Sequence, residues 1–79
     1  MNTKSTLSDY LLTRIDTLPL RDDKNFIIEQ LQRFPSEAHN QIWKEYCYQW
    51  HEGKNETDVS YKKQNRGRHR ANLWLLDLK

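Results

Sequence analysis

Apolar residues recur at intervals of three and four along most of this chain of 79 residues. This spacing is typical of one face of an α-helix. Thr6 and Asp9 fit a capping box at the start of the first helix, and Pro19 ends it because its ring disfavours the α conformation in the preceding residue. The apolar stripe of this helix consists of Leu7, Leu11, Ile15 and Leu18.

Two further helices are predicted between prolines and glycines. Asp22 and Asp23 place negative charge at the positive end of the second helix, so we expect them to cap it. Ser36 is the expected cap of the third helix, and Gly53 is expected to end it as a C-terminal glycine. The second stripe consists of Ile27, Ile28, Leu31 and Phe34. The third consists of Ala38, Ile42, Tyr46 and Trp50, widened by Trp43 and Cys47.

A fourth helix is predicted from Asn55 or Thr57 toward Lys79. Gly67 lies on its apolar side and leaves two alternatives. Either another helix approaches closely at this position, or the segment breaks there, since a glycine inside a helix costs about 1 kcal/mol relative to alanine. The apolar stripe of this helix consists of Ala71, Trp74, Leu75 and Leu78.

These four stripes predict an all-α fold, a small bundle of about four helices with short loops, forming a single domain over residues 1–79. Two glycines and two prolines are few for a β-sandwich with many tight turns. Only 35% of the residues are hydrophobic, but three Trp, four Tyr and two Phe supply large side chains for a core. The polar residues 1–5 are the candidates for a disordered N-terminus.

Motifs for catalysis or metal binding are absent from the sequence. The three histidines lack metal-ligand spacing, and there is neither a glycine-rich phosphate loop nor a nucleophile elbow. Cys47 is the single cysteine, and we expect an inert buried thiol in the aromatic stripe. We therefore predict a non-enzymatic protein without catalytic residues, metal or cofactor. Because no signal peptide or membrane-length apolar run is found, we expect a cytoplasmic protein without a membrane partner.

Residues 61–70, here called the basic segment, carry five cations and no acid. The remaining residues carry eight basic and eleven acidic side chains, a net charge of −3. A concentrated basic stretch on an acidic chain favours a polyanionic partner. The predicted nucleic-acid-binding residues are Lys62, Lys63, Arg66, Arg68 and Arg70. The alternative is a solvated face whose cations pair with acids such as Asp16, Glu29 or Glu37.

Two other features are candidates for binding. Tyr48 should point away from Tyr46 on the third helix, beside Lys44, where it would stack on a base or anchor a protein interface. The alternative is an ordinary half-exposed tyrosine. Five of the six residues in 73–78 are apolar, more than one helix face buries. Leu73 and Leu76 are therefore candidates for a dimer or partner interface, and the alternative is a terminal helix buried among the other three.

The run Arg68-His69-Arg70-Ala71-Asn72-Leu73-Trp74-Leu75-Leu76 resembles a segment of bacteriophage replication gene A proteins, the large endonucleases that initiate rolling-circle replication. Residues 34–46 resemble a segment near the N-terminus of that family, although Glu45 precedes Tyr46 where the family has arginine. The family's His-hydrophobic-His metal motif and paired nucleophilic tyrosines have no counterpart, since Tyr46 and Tyr48 lack the required spacing. The resemblance implies a phage or mobile-element origin and a non-catalytic helical accessory module.

The leading hypothesis is a small phage-type protein that binds nucleic acid, with DNA as the expected form, through the basic segment in replication or its regulation. The rival is a phage-encoded inhibitor or adaptor that blocks a host nuclease or defence complex, in the manner of an anti-CRISPR protein. Its acidic side chains would imitate nucleic acid, namely Asp9, Asp16, Asp22, Asp23 and Glu29. A third possibility is a homodimer sealed by Leu73 and Leu76.

Overall fold

The computed structural model describes residues 7–18 and 20–79. These residues form four α-helices and no strand: α1 (Asp9–Ile15), α2 (Arg21–Leu31), α3 (Ser36–Lys54) and α4 (Ser60–Asp77). The prediction of an all-α fold with about four helices and short loops is confirmed. The chain divides into two compact units, Met1–Ile42 and Trp43–Lys79, which are described in turn. The disorder expected for residues 1–5 falls outside the described residues.

Helix α1 is shorter than its apolar pattern predicts at both ends. Ser8 is the N-cap, and its hydroxyl accepts a hydrogen bond from the Leu11 amide at 3.2 Å. The predicted cap, Thr6, lies outside the described residues. The helix ends at Ile15 because the Thr17 hydroxyl and amide both donate to the Arg14 carbonyl, at 2.6 and 3.1 Å. A hydroxyl that competes for a helix carbonyl favours a turn over another helical residue.

Helix α2 follows its predicted pattern, but its ends are set differently. The N-cap is Leu20, which provides no side-chain cap, so the prediction that Asp22 and Asp23 cap the helix is wrong. Both carboxylates lie inside the first turn, where they still face the positive end of the helix dipole. The helix ends at Leu31, and Phe34 lies beyond it, where its carbonyl contacts His39 Nε2 at 3.0 Å.

The buried side chains of the first unit repeat the predicted helical spacing. Leu11 and Ile15 of α1 and Ile27 and Leu31 of α2 are each at most 1% exposed. Two polar side chains, Asp23 and His39, are also buried in this unit. Among the described residues, no buried side-chain nitrogen or oxygen lacks a hydrogen-bond partner, so the buried polar groups in this unit are satisfied.

In the second unit, α3 and α4 meet through two glycines. A Cβ atom added to Gly53 would lie 2.6 Å from the Arg66 carbonyl oxygen and 2.8 Å from Gly67 Cα. One added to Gly67 would lie 2.8 Å from both the Trp50 carbonyl oxygen and its indole ring. The two backbones are therefore in direct contact. Of the two predicted alternatives for Gly67, the first therefore holds: another helix approaches closely at this position.

The prediction that Gly53 ends the third helix is wrong. Gly53 lies inside α3, is buried and has no positive φ, so it does not adopt the left-handed conformation of a C-terminal glycine. The helix continues to Lys54. The absence of a side chain at Gly53 allows the close packing of the two helices, and it is not required for a turn.

Larger side chains fill the second unit on one side of the glycine contact. Tyr46 is 1% exposed, and its hydroxyl donates to Asn72 Oδ1 at 2.7 Å. The Trp43 ring stacks on Tyr46 with a centroid distance of 5.7 Å. Ala71 and Leu75 of α4 are fully buried. The pairing of Gly53 with Gly67 and of Tyr46 with Asn72 shows that the two helices run antiparallel.

Substitution of either glycine by alanine tests the backbone contact. Helix propensity alone predicts that Gly67→Ala stabilises the protein by about 1 kcal/mol. The steric conflict predicts destabilisation instead, of about 1–3 kcal/mol, which is typical of overpacked cores. Urea unfolding followed by circular dichroism measures the difference. Gln64→Ala, at an exposed position of the same helix, serves as the control. Gly53→Ala should behave like Gly67→Ala, and a raised unfolding midpoint in either variant would contradict the contact.

The Tyr46–Asn72 hydrogen bond gives a second test of this packing. Tyr46→Phe removes the hydroxyl from a buried position and leaves the Asn72 oxygen without that donor, so we expect a loss of about 0.5–1.5 kcal/mol in the free energy of unfolding. Tyr48→Phe is the matched control because Tyr48 is 56% exposed. Equal unfolding midpoints for the two variants would show that the bond adds nothing to stability.

Candidate nucleic-acid interface

Helix α4 begins later than predicted and without a side-chain cap. Its N-cap is Val59, whose side chain has no group to accept a hydrogen bond, and its first turn contains no acidic residue. The predicted start at Asn55 or Thr57 is wrong. The Thr57 hydroxyl accepts from the Val59 amide at 3.2 Å, so it orders the loop and not the first turn of the helix. The positive end of α4 is therefore left without a compensating carboxylate from its own first turn.

The basic segment lies entirely within α4, and part of it points away from the buried side. Gly67, Ala71 and Leu75 form the buried stripe. Helical spacing places five exposed residues on the opposite side, here called the outward face: Lys62, Arg66, His69, Leu73 and Leu76. Within the described part of the chain, no acidic side chain forms an ion pair with Lys62 or Arg66. These two side chains are available for an anionic ligand.

Arg70, unlike Lys62 and Arg66, is held by polar side chains of the protein itself. Its Nε donates to Gln49 Oε1 at 2.9 Å, and its Nη1 pairs with Glu56 Oε2 at 2.7 Å. The guanidinium therefore joins α4 to α3 and to the loop between them. The alternative of an intramolecular ion pair is realised at this residue, with Glu56 as the partner.

The two other cations of the basic segment flank the buried stripe. Lys63 and Arg68 are half-buried, one on each side of it. Arg68 also takes part in an interaction within the protein. The five predicted binding residues thus divide into an exposed pair, Lys62 and Arg66, and three side chains that are closer to the body of the protein.

Tyr61 was not identified by the sequence analysis, although it is the most exposed large hydrophobic side chain among the described residues, at 80%. The Lys62 ammonium lies 5.9 Å from the centre of its ring. The signal in the sequence is its position outside the Gly67–Ala71–Leu75 stripe and directly before two lysines. An aromatic residue at such a position has no place in the helix core.

The predicted orientation of Tyr48 on α3 is correct. Tyr48 is 56% exposed whereas Tyr46 is buried, and Lys44 is exposed as well. A further exposed tyrosine, Tyr10, lies in the first unit with the Arg14 guanidinium 5.0 Å from its ring centre. An exposed tyrosine beside one cation therefore occurs more than once, and of these Tyr61 lies in the basic segment.

Leu73 and Leu76 continue the outward face toward the end of α4. They are 48% and 53% exposed, so the alternative of a terminal helix buried on all sides does not hold for these two side chains. The outward face changes from basic at its start to apolar at its end. An apolar partner group would find contact area there, adjacent to positive charge.

Three further observations bear on the chemistry of the described residues. Cys47 is half-buried and not buried as expected. Among the described residues, no group of three or more His, Cys, Asp or Glu side chains is arranged to hold a metal ion. None of the four helices described combines the length and apolar character that crossing a bilayer requires.

The chain matches no protein-family model, no curated protein and no solved structure.

Proposed function

We propose that this protein is a non-enzymatic nucleic-acid-binding protein whose contact surface is the start of the outward face of α4. Lys62 and Arg66 make the principal phosphate contacts, and Lys63 and Arg68 contribute positive charge beside them. The protein acts by binding to the nucleic acid and occupying a site on it. Its place in the replication of a phage or mobile element, or in the regulation of that replication, rests on the resemblance of residues 68–76.

The observation that carries this proposal is the accumulation of positive charge at the positive end of α4. Lys62 and Lys63 are the third and fourth residues of the helix, and no side chain caps its start. A cation near a helix N-terminus is unfavourable by about 0.3–1 kcal/mol. Local arrangements that oppose stability are expected mainly at functional sites. Phosphate groups would relieve this repulsion, because they are attracted both to the cations and to the helix end.

The charge distribution supports the same ligand. The protein as a whole has a net charge of only +2, whereas α4 carries five cations and the single acid Asp77 near its end. Attraction to a polyanion is therefore concentrated on one helix. Arg70 is bound to Glu56 and Gln49, so we assign it mainly to holding α4 in place and only secondarily to phosphate.

A second candidate function is favoured by the exposed leucines. Leu73 and Leu76 are about half exposed, so each would gain roughly 0.7–1.5 kcal/mol on complete burial, which suits a protein-binding inhibitor or adaptor that blocks a host nuclease or defence complex, or a homodimer. The basic half of the outward face would then meet acidic groups of the partner. Only the second candidate requires the leucine half of the outward face, and this separates the two candidates experimentally.

Removal of the exposed cations should abolish most nucleic-acid binding. We expect Lys62→Ala combined with Arg66→Ala to weaken binding at least tenfold and to lower the slope of log affinity against log salt by about 0.7–0.9 for each lost phosphate contact. Fluorescence anisotropy with labelled DNA and RNA at several salt concentrations measures both quantities. Arg14→Ala combined with Arg21→Ala removes the same charge from two exposed positions in the first unit and should leave binding nearly unchanged.

Equal loss in both double variants would mean that net charge, and not the face of α4, governs binding. No binding of the unaltered protein at low salt would overturn the proposed function. The unfolding midpoint of each variant confirms that the fold is intact.

The leucine half of the face is tested separately. If the protein is a homodimer or a protein-binding inhibitor, Leu73→Ser combined with Leu76→Ser should lower self-association or partner capture, because the apolar contact area is lost. Sedimentation at several protein concentrations measures the first, and capture from nuclease-treated host lysate measures the second. If nucleic-acid binding is the function, the same variant should keep its affinity for nucleic acid within about twofold, a difference of roughly 0.4 kcal/mol.

A further inference from the structure

We propose that this site takes single-stranded nucleic acid in preference to duplex, with Tyr61 as the residue on which a base stacks. The inference rests on the proposed function and specifies its ligand. It depends on two observations, namely the 80% exposure of Tyr61 and the position of its ring beside the exposed Lys62.

Tyr61 has no evident role in holding the fold together. Its side chain is turned out of the protein, whereas Tyr46 of the same unit is buried. A large aromatic side chain left in water forgoes the burial that usually stabilises a small domain. A ring exposed to this degree is available to stack against another flat surface.

The neighbours of Tyr61 provide the other groups that a nucleotide requires. Helical spacing places Asn65 and Arg68 on the row that begins with Tyr61, and Lys62 and Arg66 on the adjacent row. Tyr61 and Asn65 are both exposed, and the Lys62 ammonium is 5.9 Å from the centre of the tyrosine ring. A base on the ring would thus have its phosphates within reach of Lys62 and Arg66, and the Asn65 amide near its edge.

This arrangement distinguishes single strands from duplex. In a duplex both faces of each base are covered by neighbouring bases, so stacking on an external ring first requires a base to be unstacked. In a single strand a base face is accessible at little cost, and every base has such a face, so the contact tolerates different sequences. The cations attract both forms, whereas the tyrosine contributes only to the single strand.

The experiment compares four proteins in an anisotropy titration with labelled single-stranded and duplex oligonucleotides of equal length, as DNA and as RNA, at near-physiological salt. The proteins are the unaltered chain, Tyr61→Ala, Tyr61→Phe and the control Tyr10→Ala. Tyr10 is matched because it is 61% exposed with a cation near its ring, yet it lies in the other unit.

We expect the unaltered protein to bind the single strand more tightly than the duplex. Tyr61→Ala should weaken single-strand binding by roughly 5- to 150-fold, the range found for loss of one base–aromatic stack. Its effect on duplex binding should be less than twofold. Tyr61→Phe, which keeps the ring, should restore single-strand affinity, and Tyr10→Ala should bind like the unaltered protein.

The inference is overturned if Tyr61→Ala changes single-strand and duplex affinity equally or not at all, or if Tyr61→Phe fails to restore binding. If the Lys62/Arg66 double variant still loses binding in that case, the proposed function stands and only the single-strand preference is lost. Absence of binding to every oligonucleotide at low salt overturns both. A difference between the DNA and RNA arms identifies which single strand is preferred.

Discussion

Two glycines determine how closely α3 and α4 approach in the second unit, because a methyl group at either position would collide with the facing helix. Helices that meet through ordinary side chains lie about 8–10 Å apart, and direct backbone contact requires that the side chain be absent. Other contacts follow from this approach. Tyr46 reaches Asn72, and Arg70 reaches Gln49, only because the helices are close and antiparallel. The same approach turns Lys62 and Arg66 outward, on the side of α4 opposite Gly67.

Periodicity was sufficient to predict the helices and most of their buried residues. Leu11, Ile15, Ile27 and Leu31 recur at spacing four and are all buried. The ends of the helices were harder to predict, because they depend on single hydrogen bonds. Ser8 caps α1, two residues after the predicted cap, and Thr57 bonds within a loop. Gly53 shows a further limit, since glycine is favoured both after a helix and at a close helix contact, and the sequence alone does not distinguish these causes.

The parts of the candidate interface that depend on local charge were predictable from the sequence. The parts that depend on partners distant in the sequence were not. The five cations of the basic segment directly indicated that α4 carries the candidate interface. Arg70 was assigned to the ligand because its acidic partner, Glu56, lies fourteen residues earlier in a loop. Tyr61 was not identified, although its position outside the Gly67–Ala71–Leu75 stripe could have indicated its exposure. Leu73 and Leu76 were identified because one helix face cannot bury every residue of an apolar run.

The uncapped, cationic start of α4 gives ionic strength two opposite effects on this protein. Salt screens the repulsion between Lys62, Lys63 and the helix dipole, which makes the first turn of α4 more stable. The same salt screens the attraction of those lysines for phosphates, which would weaken the proposed complex with nucleic acid. The first turn is consequently least stable when the protein is without ligand in dilute buffer. A concentrated electrolyte and the proposed polyanionic ligand would thus both stabilise this end of the helix, the first by screening its charges and the second by contacting them.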